Sequence, residues 1–207
     1  MVITLLKRYS VLFVIILFVV VVFLTGCGAN ALSIDDDINQ ANTAPTYVPR
    51  AADTIYDPSL STFETSLMDQ SPNRVNNVEL ACKAINGKIL QPGEEFSFND
   101  TVGPRTTDKG YKEATIIVDG EKETGIGGGI CQVSTTVYQA ALKAGLEITE
   151  RHEHSKKVSY VPKGDDATIS GKLDLKFKND YDFPVKFEVA TNGEIVTVVV
   201  YKDIDNT

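Results

Sequence analysis

A chain of 207 residues has room for one domain and its accessories, and 43% hydrophobic residues is ordinary for a globular protein. Its formal charge of −8 argues against nucleic acid or an anionic lipid surface as a partner. With 3 cysteines and 2 histidines, each can be weighed by its place in the chain.

Residues 1–27 read as an export signal rather than as part of the fold. Lys7 and Arg8 precede an apolar run from Val11 to Leu24, short for a membrane span and suited to a signal-peptide core. Leu24-Thr25-Gly26-Cys27 resembles the bacterial lipobox, in which the cysteine is lipidated and becomes the mature N-terminus. A short membrane anchor is the alternative, and it leaves the rest of the chain on the same side. The expected location is the extracytoplasmic face of the cell membrane, anchored by lipid on Cys27. Residues 28–52, with Asp35, Asp36 and Asp37 among Asn, Ala and Thr, show no periodicity and read as a flexible tether. The folded domain is expected over 53–203.

Ser71-Pro72 suits a helix entry, and Val75, Val78, Cys82 and Ile85 then share one helical face up to Gly87. Cys82 on that stripe is a core residue in the simplest reading. Phe96 and Phe98 alternate as in a strand, and Ala114 to Val118 reads as a strand turning at Asp119-Gly120. Later segments switch to period two. Leu146 and Ile148, then Leu173, Leu175 and Phe177, then Val185, Phe187 and Val189 alternate with polar residues, and Ile195 to Tyr201 is β-branched almost throughout. The expected class is α+β, an antiparallel meander packed around a central helix that begins at a cysteine, with one more helix near the N-terminus.

That central stretch is Gly125–Leu146. Glycines at 125, 127, 128 and 129 permit positive φ, Cys131 follows, and Val133, Val137, Ala140, Ala141 and Ala144 recur at helical spacing. A cysteine in the first turn of a helix lies where free N–H groups and the helix dipole favour a thiolate. Gln132, Thr136, Gln139 and Lys143 form a polar stripe, and Cys131 lies off it, so its sulfur should face another part of the protein. A glycine-rich approach to such a cysteine suits a nucleophile with an oxyanion hole, and a small core residue is the plainer alternative.

Both histidines occur in His152-Glu153-His154-Ser155. A histidine returning to the helix start would act as general base, oriented by Asp166, with Asp165 and Asp174 as the other candidates. Asp166 is preferred because Asp174 falls on the charged face of its strand. Two other arrangements are open: a zinc site built from His152, His154 and either Cys131 or Asp166, and a Cys82–Cys131 disulfide. No Gly-Lys-Ser/Thr follows the glycines, which excludes a P-loop, and no cofactor is expected.

The segments Pro92 to Asn99, Gly103-Pro104-Arg105-Thr106 with Gly110-Tyr111, Gly127 to Thr136, Glu150-Arg151-His152 with His154-Ser155, Asp166-Ala167-Thr168 and Asp174 to Phe177 closely resemble the VanW family, in the family's order across roughly residues 60–201. The Gly-Gly-Gly-Ile-Cys-Gln-Val-Ser-Thr block is the most specific of them. The resemblance implies a bacterial, cell-envelope setting and offers the cysteine block, Arg105, His154-Ser155 and Asp166 as motif positions; the family has no settled activity. The expectation is a cysteine enzyme acting on peptide or amide bonds of the cell wall, with Cys131, His154, Asp166 and His152 catalytic. Arg105, Gly128, Gly129, Gln132 and Ser134 would bind substrate. The alternative is a non-catalytic module that binds wall peptide or an envelope partner.

Overall fold

The computed structural model describes residues 59–118 and 121–204. The expected leader, lipidated Cys27, tether, the domain start at Asp53 and the Asp119-Gly120 turn lie outside the described residues. Within them the class is α+β, and every strand pair is antiparallel. The strands do not form one meander. They divide into three sheets.

The first sheet has the order β1-β9-β8-β2, where β1 is Ser59–Ser66, β2 Ile89–Leu90, β8 Val185–Thr191 and β9 Ile195–Lys202. The β8–β9 hairpin turns at Asn192-Gly193, with Gly193 at φ 87° and the Asn192 side chain accepting from two amides beyond it. β1 is a strand the alternation rule misses, because Leu60 and Phe63 are its only large apolar residues. It is a strand because β9 offers it a ladder from Ser59 opposite Tyr201 to Ser66 opposite Ile195. The second sheet has the order β3-β7-β6, with β3 Glu95–Ser97, β6 Glu147–Glu150 and β7 Lys176–Lys178. The third is a two-stranded hairpin of β4, Glu113–Val118, and β5, Glu121–Ile126.

Helix α1, Pro72–Ile85, enters at Ser71-Pro72 as expected and buries Val78, Cys82 and Ile85. Phe98 does not extend β3. It opens a short helix α2, Phe98–Val102, because the Ser97 hydroxyl accepts from the Asp100 amide at 3.1 Å and caps it. Asp174, read from the sequence as a charged-face residue, is buried beside this cap. It accepts from the Ser97 hydroxyl at 2.6 Å and from the Asn99 amide at 2.9 Å. The strand at 173–177 therefore begins only at Lys176, since Asp174 is committed to α2.

Helix α3 runs Ile130–Lys143, so it begins one residue before the cysteine and Cys131 is its second residue. Of its expected polar stripe only Lys143 is exposed. Gln132, Thr136 and Gln139 are all buried: Thr136 bonds the Thr65 hydroxyl of β1 at 2.8 Å, and Gln139 donates to the Asp165 carbonyl at 2.7 Å. Only Leu142 and Lys143 at its end are exposed; the rest of the helix packs against β1, β9, α1 and β6, and its buried polar side chains need hydrogen-bond partners. Beneath it, Phe96, Phe177 and Phe187 stack at 4.5–6.1 Å between centroids and join the second sheet to the first.

Candidate active site

The approach to α3 is shaped by close contacts. Gly127 and Gly129 hold φ of 85° and 105°, backbone that other residues adopt only with strain. Gly128 is restricted by space instead: a Cβ there would lie 2.5 Å from the Thr115 carbonyl of β4. Asn77, fully buried on α1, fastens the same loop. Its amide donates to the Gly128 and Lys112 carbonyls at 3.1 and 2.9 Å while its oxygen accepts from the Lys112 amide at 2.8 Å. The Ile130 and Gln132 amides turn back to the carbonyls of Gly127 and Gly129. Among the described residues the Cys131 N–H has no such backbone acceptor.

Helix α3 holds the next segment by two hydroxyls. Ser134 donates to the Ala167 carbonyl at 2.6 Å, and Thr135 accepts from the Ala167 amide at 3.0 Å. This pins Asp166-Ala167-Thr168 alongside the cysteine. The Cys131 sulfur lies 3.7 Å from the Thr168 hydroxyl and 3.5 Å from the Ile169 carbonyl. Thr168 in turn donates its amide to the His152 carbonyl at 2.8 Å, which draws the chain at 152–154 across the same place.

His154 completes the arrangement. Its Nδ1 is 2.5 Å from Asp166 Oδ2, and its backbone amide donates to that same oxygen at 2.7 Å. With Nδ1 engaged by Asp166, His154 lines the same cavity as Cys131, and each group shifts the other's titration. Both side chains of the His154–Asp166 pair are nearly closed to water, at 9% and 6% exposure. Burial opposes the thiolate, yet the His154 hydrogen bond, the Ile169 backbone and the imidazolium charge outweigh it and hold Cys131 below the ordinary thiol range. Burial likewise opposes the imidazolium, and the bonds and charges of Cys131 and Asp166 raise His154 above its usual range. The Asp166 carboxyl is lowered: burial pushes it up, but the His154 amide and ring bonds prevail. Each of the three shifts runs toward the charged form, thiolate, imidazolium and carboxylate.

Arg151, which the sequence reading left without a role, braces this loop. It donates to the carbonyls of Asp166 and Gly164 at 2.7 and 2.6 Å, pairs with Glu153 at 3.0 Å, and its guanidinium lies 5.2 Å from the Tyr138 ring centre. No periodicity marks such a residue, because its partners are backbone carbonyls reached only after folding.

A cavity of about 610 Å³ opens over Cys131. Gly127, Gly128, Gly129, Ser155, Tyr160 and Thr168 line it, together with Ile116, Ile117 and Ile126 of the β4–β5 hairpin. Arg105 lies on its wall and donates to Asn99 Oδ1 at 2.9 Å and to the Gly103 carbonyl at 3.2 Å. Burial holds the Tyr160 phenol above its ordinary range, and the Cys131 charge adds to this.

Two expected site residues, His152 and Ser134, require correction. His152 does not join the cysteine: the chain leaves β6 at Glu150, strand alternation ends there, and His152 Nε2 pairs with Glu150 at 3.0 Å instead. Ser134 is fully buried on the Ala167 carbonyl and does not line the cavity, whereas Gln132 is among the lining residues, with its amide nitrogen on Thr65 and Ser66 and its oxygen accepting from Arg74. Asp174 stands at the α2 cap and Asp165 is exposed, so Asp166 alone of the three meets His154. The zinc arrangement loses His152, and among the described residues no group of three His, Cys, Asp or Glu is placed to hold a metal ion. Cys82 and Cys131 are both free thiols, and burial in the core pushes Cys82 up to about 12.

The comparisons with known proteins agree with the motif order. Residues 73–201 match the family model described as "VanW like protein". The chain belongs to the VanW-like family. It is 43% identical over 150 residues to a Bacillus subtilis (strain 168) protein described as "Uncharacterized protein YoaR", covering 72% of this chain and 50% of that one. It is 37% identical over 137 residues to the "Vancomycin B-type resistance protein VanW" of Enterococcus faecalis (strain ATCC 700802 / V583), covering 63% of this chain and 50% of the relative. The chain thus spans about half the length of the curated relatives it matches. No solved structure gives a significant match.

Proposed function

We propose that this chain is an exported, membrane-tethered cell-envelope protein whose Cys131, His154 and Asp166 carry out acyl transfer on peptide or amide bonds of the cell wall. The single observation behind this reading is that Cys131 and a His154 ring held by Asp166 Oδ2 line one cavity. The envelope setting draws on the leader with its lipobox-like Leu24-Thr25-Gly26-Cys27 and on the name of the enterococcal relative.

The chemistry follows from the charge state. The Cys131 thiolate attacks the carbonyl carbon, an S–C bond forms, and the carbonyl electrons pass to oxygen. The Cys131 N–H, which has no backbone acceptor among the described residues, is the donor this reading assigns to that oxyanion. As the tetrahedral adduct collapses, the C–N bond breaks and the His154 imidazolium gives its proton to the leaving amine. Water or a second amine then attacks the thioester, losing its proton to His154 and releasing Cys131. Asp166 keeps Nδ1 protonated so that the opposite nitrogen serves the sulfur.

Incubation of the purified full chain with wall-derived peptides, followed by mass spectrometry, tests this reading. Cleavage or exchange products are expected from wild type and not from Cys131→Ser, a loss of at least about 10³-fold. Equal turnover by Cys131→Ser would refute it. Saturable binding of those peptides without turnover by either protein would establish the binding-module alternative in its place.

A further inference from the structure

The glycine run before Cys131 brings two arginine stems to the same cavity. A Cβ on Gly127 would meet Arg105 Cβ at 3.3 Å, and one on Gly129 would meet Arg74 Cγ at 2.9 Å. Among the described residues neither guanidinium has a carboxylate partner. Arg74 gives Nη2 to Gln132 Oε1 at 3.2 Å, and its Nε is buried with no partner at all. The buried Gln132 amide is fixed from the other side by Thr65 and Ser66, so its oxygen is held toward Arg74. The one carboxylate lining the cavity, Glu153, is already paired with Arg151.

Asp69 feels the Arg74 charge without forming a salt bridge to it, and partly desolvated guanidinium groups that lack a salt-bridge partner favour an anion supplied from outside. We infer that Arg74 is a specificity residue that, together with Arg105, receives a carboxylate of the substrate. The substrate class is then a peptide cut or exchanged next to a free C-terminal carboxylate, as a carboxypeptidase or a carboxypeptidase-like transpeptidase acts, since Arg74 abuts Gly129, two residues from the nucleophile. This rests on the reading of Cys131 as the nucleophile.

Two alkylating agents of similar size separate the two claims. Iodoacetate is anionic and iodoacetamide neutral, and each forms an S–CH2 bond to the Cys131 thiolate as the C–I bond breaks and iodide leaves. The readout on the full chain is the ratio of the two rates at the Cys131 peptide, relative to that ratio for free cysteine in the same low-salt buffer. The wild-type ratio should exceed the free value by about tenfold, Arg74→Lys should keep most of the excess, and Arg74→Gln should remove most of it. N-acetyl-alanyl-alanine should slow alkylation where its C-terminal amide does not. A wild-type ratio at or below the free value overturns the inference whether or not the variants fold, as does an excess that Arg74→Gln leaves intact. The pH midpoint with iodoacetamide reports the nucleophile separately: a low midpoint with a free-value ratio removes the anion site and leaves the nucleophile standing.

Discussion

Replacing His154 by Gln is expected to slow alkylation of Cys131 at pH 7 by about tenfold for each unit by which the thiol pKa rises. The backbone amide of residue 154 and Arg151 remain beside Asp166, so the buried carboxylate keeps partners, but Gln offers the sulfur no positive charge. The sign follows from the two shifts. The folded thiol is lowered and the folded imidazole raised, so the ion pair forms as pH rises through the Cys131 titration and disappears as pH rises through that of His154. Acyl transfer, which uses both charged forms, should therefore follow a bell in pH, and His154→Gln should abolish it. The burial that opposes the thiolate persists in the variant, so its midpoint should move to or above the free value of about 8.5. An alkylation profile unchanged by His154→Gln, in protein whose circular dichroism matches wild type, would show that the imidazole does not govern the thiol.

A second large effect is expected in the core. Phe177 is fully buried, stacked on Phe96 at 4.5 Å and against Phe187 at 5.4 Å, and sits on β7 opposite Ile148 of β6. Phe177→Ala removes a ring that ties the second sheet to the first and should cost about 3–5 kcal/mol of stability. Thermal unfolding should shift down by roughly 10 °C or more. The loss should reach the site, since β6 leads directly into Arg151 and His154. Denaturant titration measures it, and a loss below about 1 kcal/mol would mean that the three rings do not join the sheets.

The parts of this protein legible from sequence are those fixed by local rules. Pro72 after Ser71 and the stripe through Val78, Cys82 and Ile85 mark α1; alternation marks β8 and a β-branched run marks β9; glycines before a cysteine and an alanine-rich repeat mark α3. The parts that were not legible depend on partners distant in sequence. β1 is a strand only because β9 lies beside it, and Asp174 looks like a surface residue until α2 is seen to need its carboxylate. His152 and His154 are equivalent under strand alternation, and they separate because the chain leaves β6 at Glu150 and the Thr168 amide then binds the His152 carbonyl. Ser134 and Gln132 sit in a striking-distance motif beside the cysteine, but their polar groups hold Ala167, Thr65 and Ser66 in place. Arg74 carried no signal, since an arginine on the outer turn of an amphipathic helix is ordinarily solvated.

The most direct test of the central claim is the ionisation of Cys131 itself. The rate of iodoacetamide labelling is followed against pH on the native full chain, at the Cys131 peptide by mass spectrometry. Cys82, in the core with its thiol pushed up to about 12, is silent in the folded state. A Cys131 midpoint clearly below the free value of about 8.5 is the expected result. A midpoint at or above that value would contradict it, leaving Cys131 as a packing residue beneath the cavity.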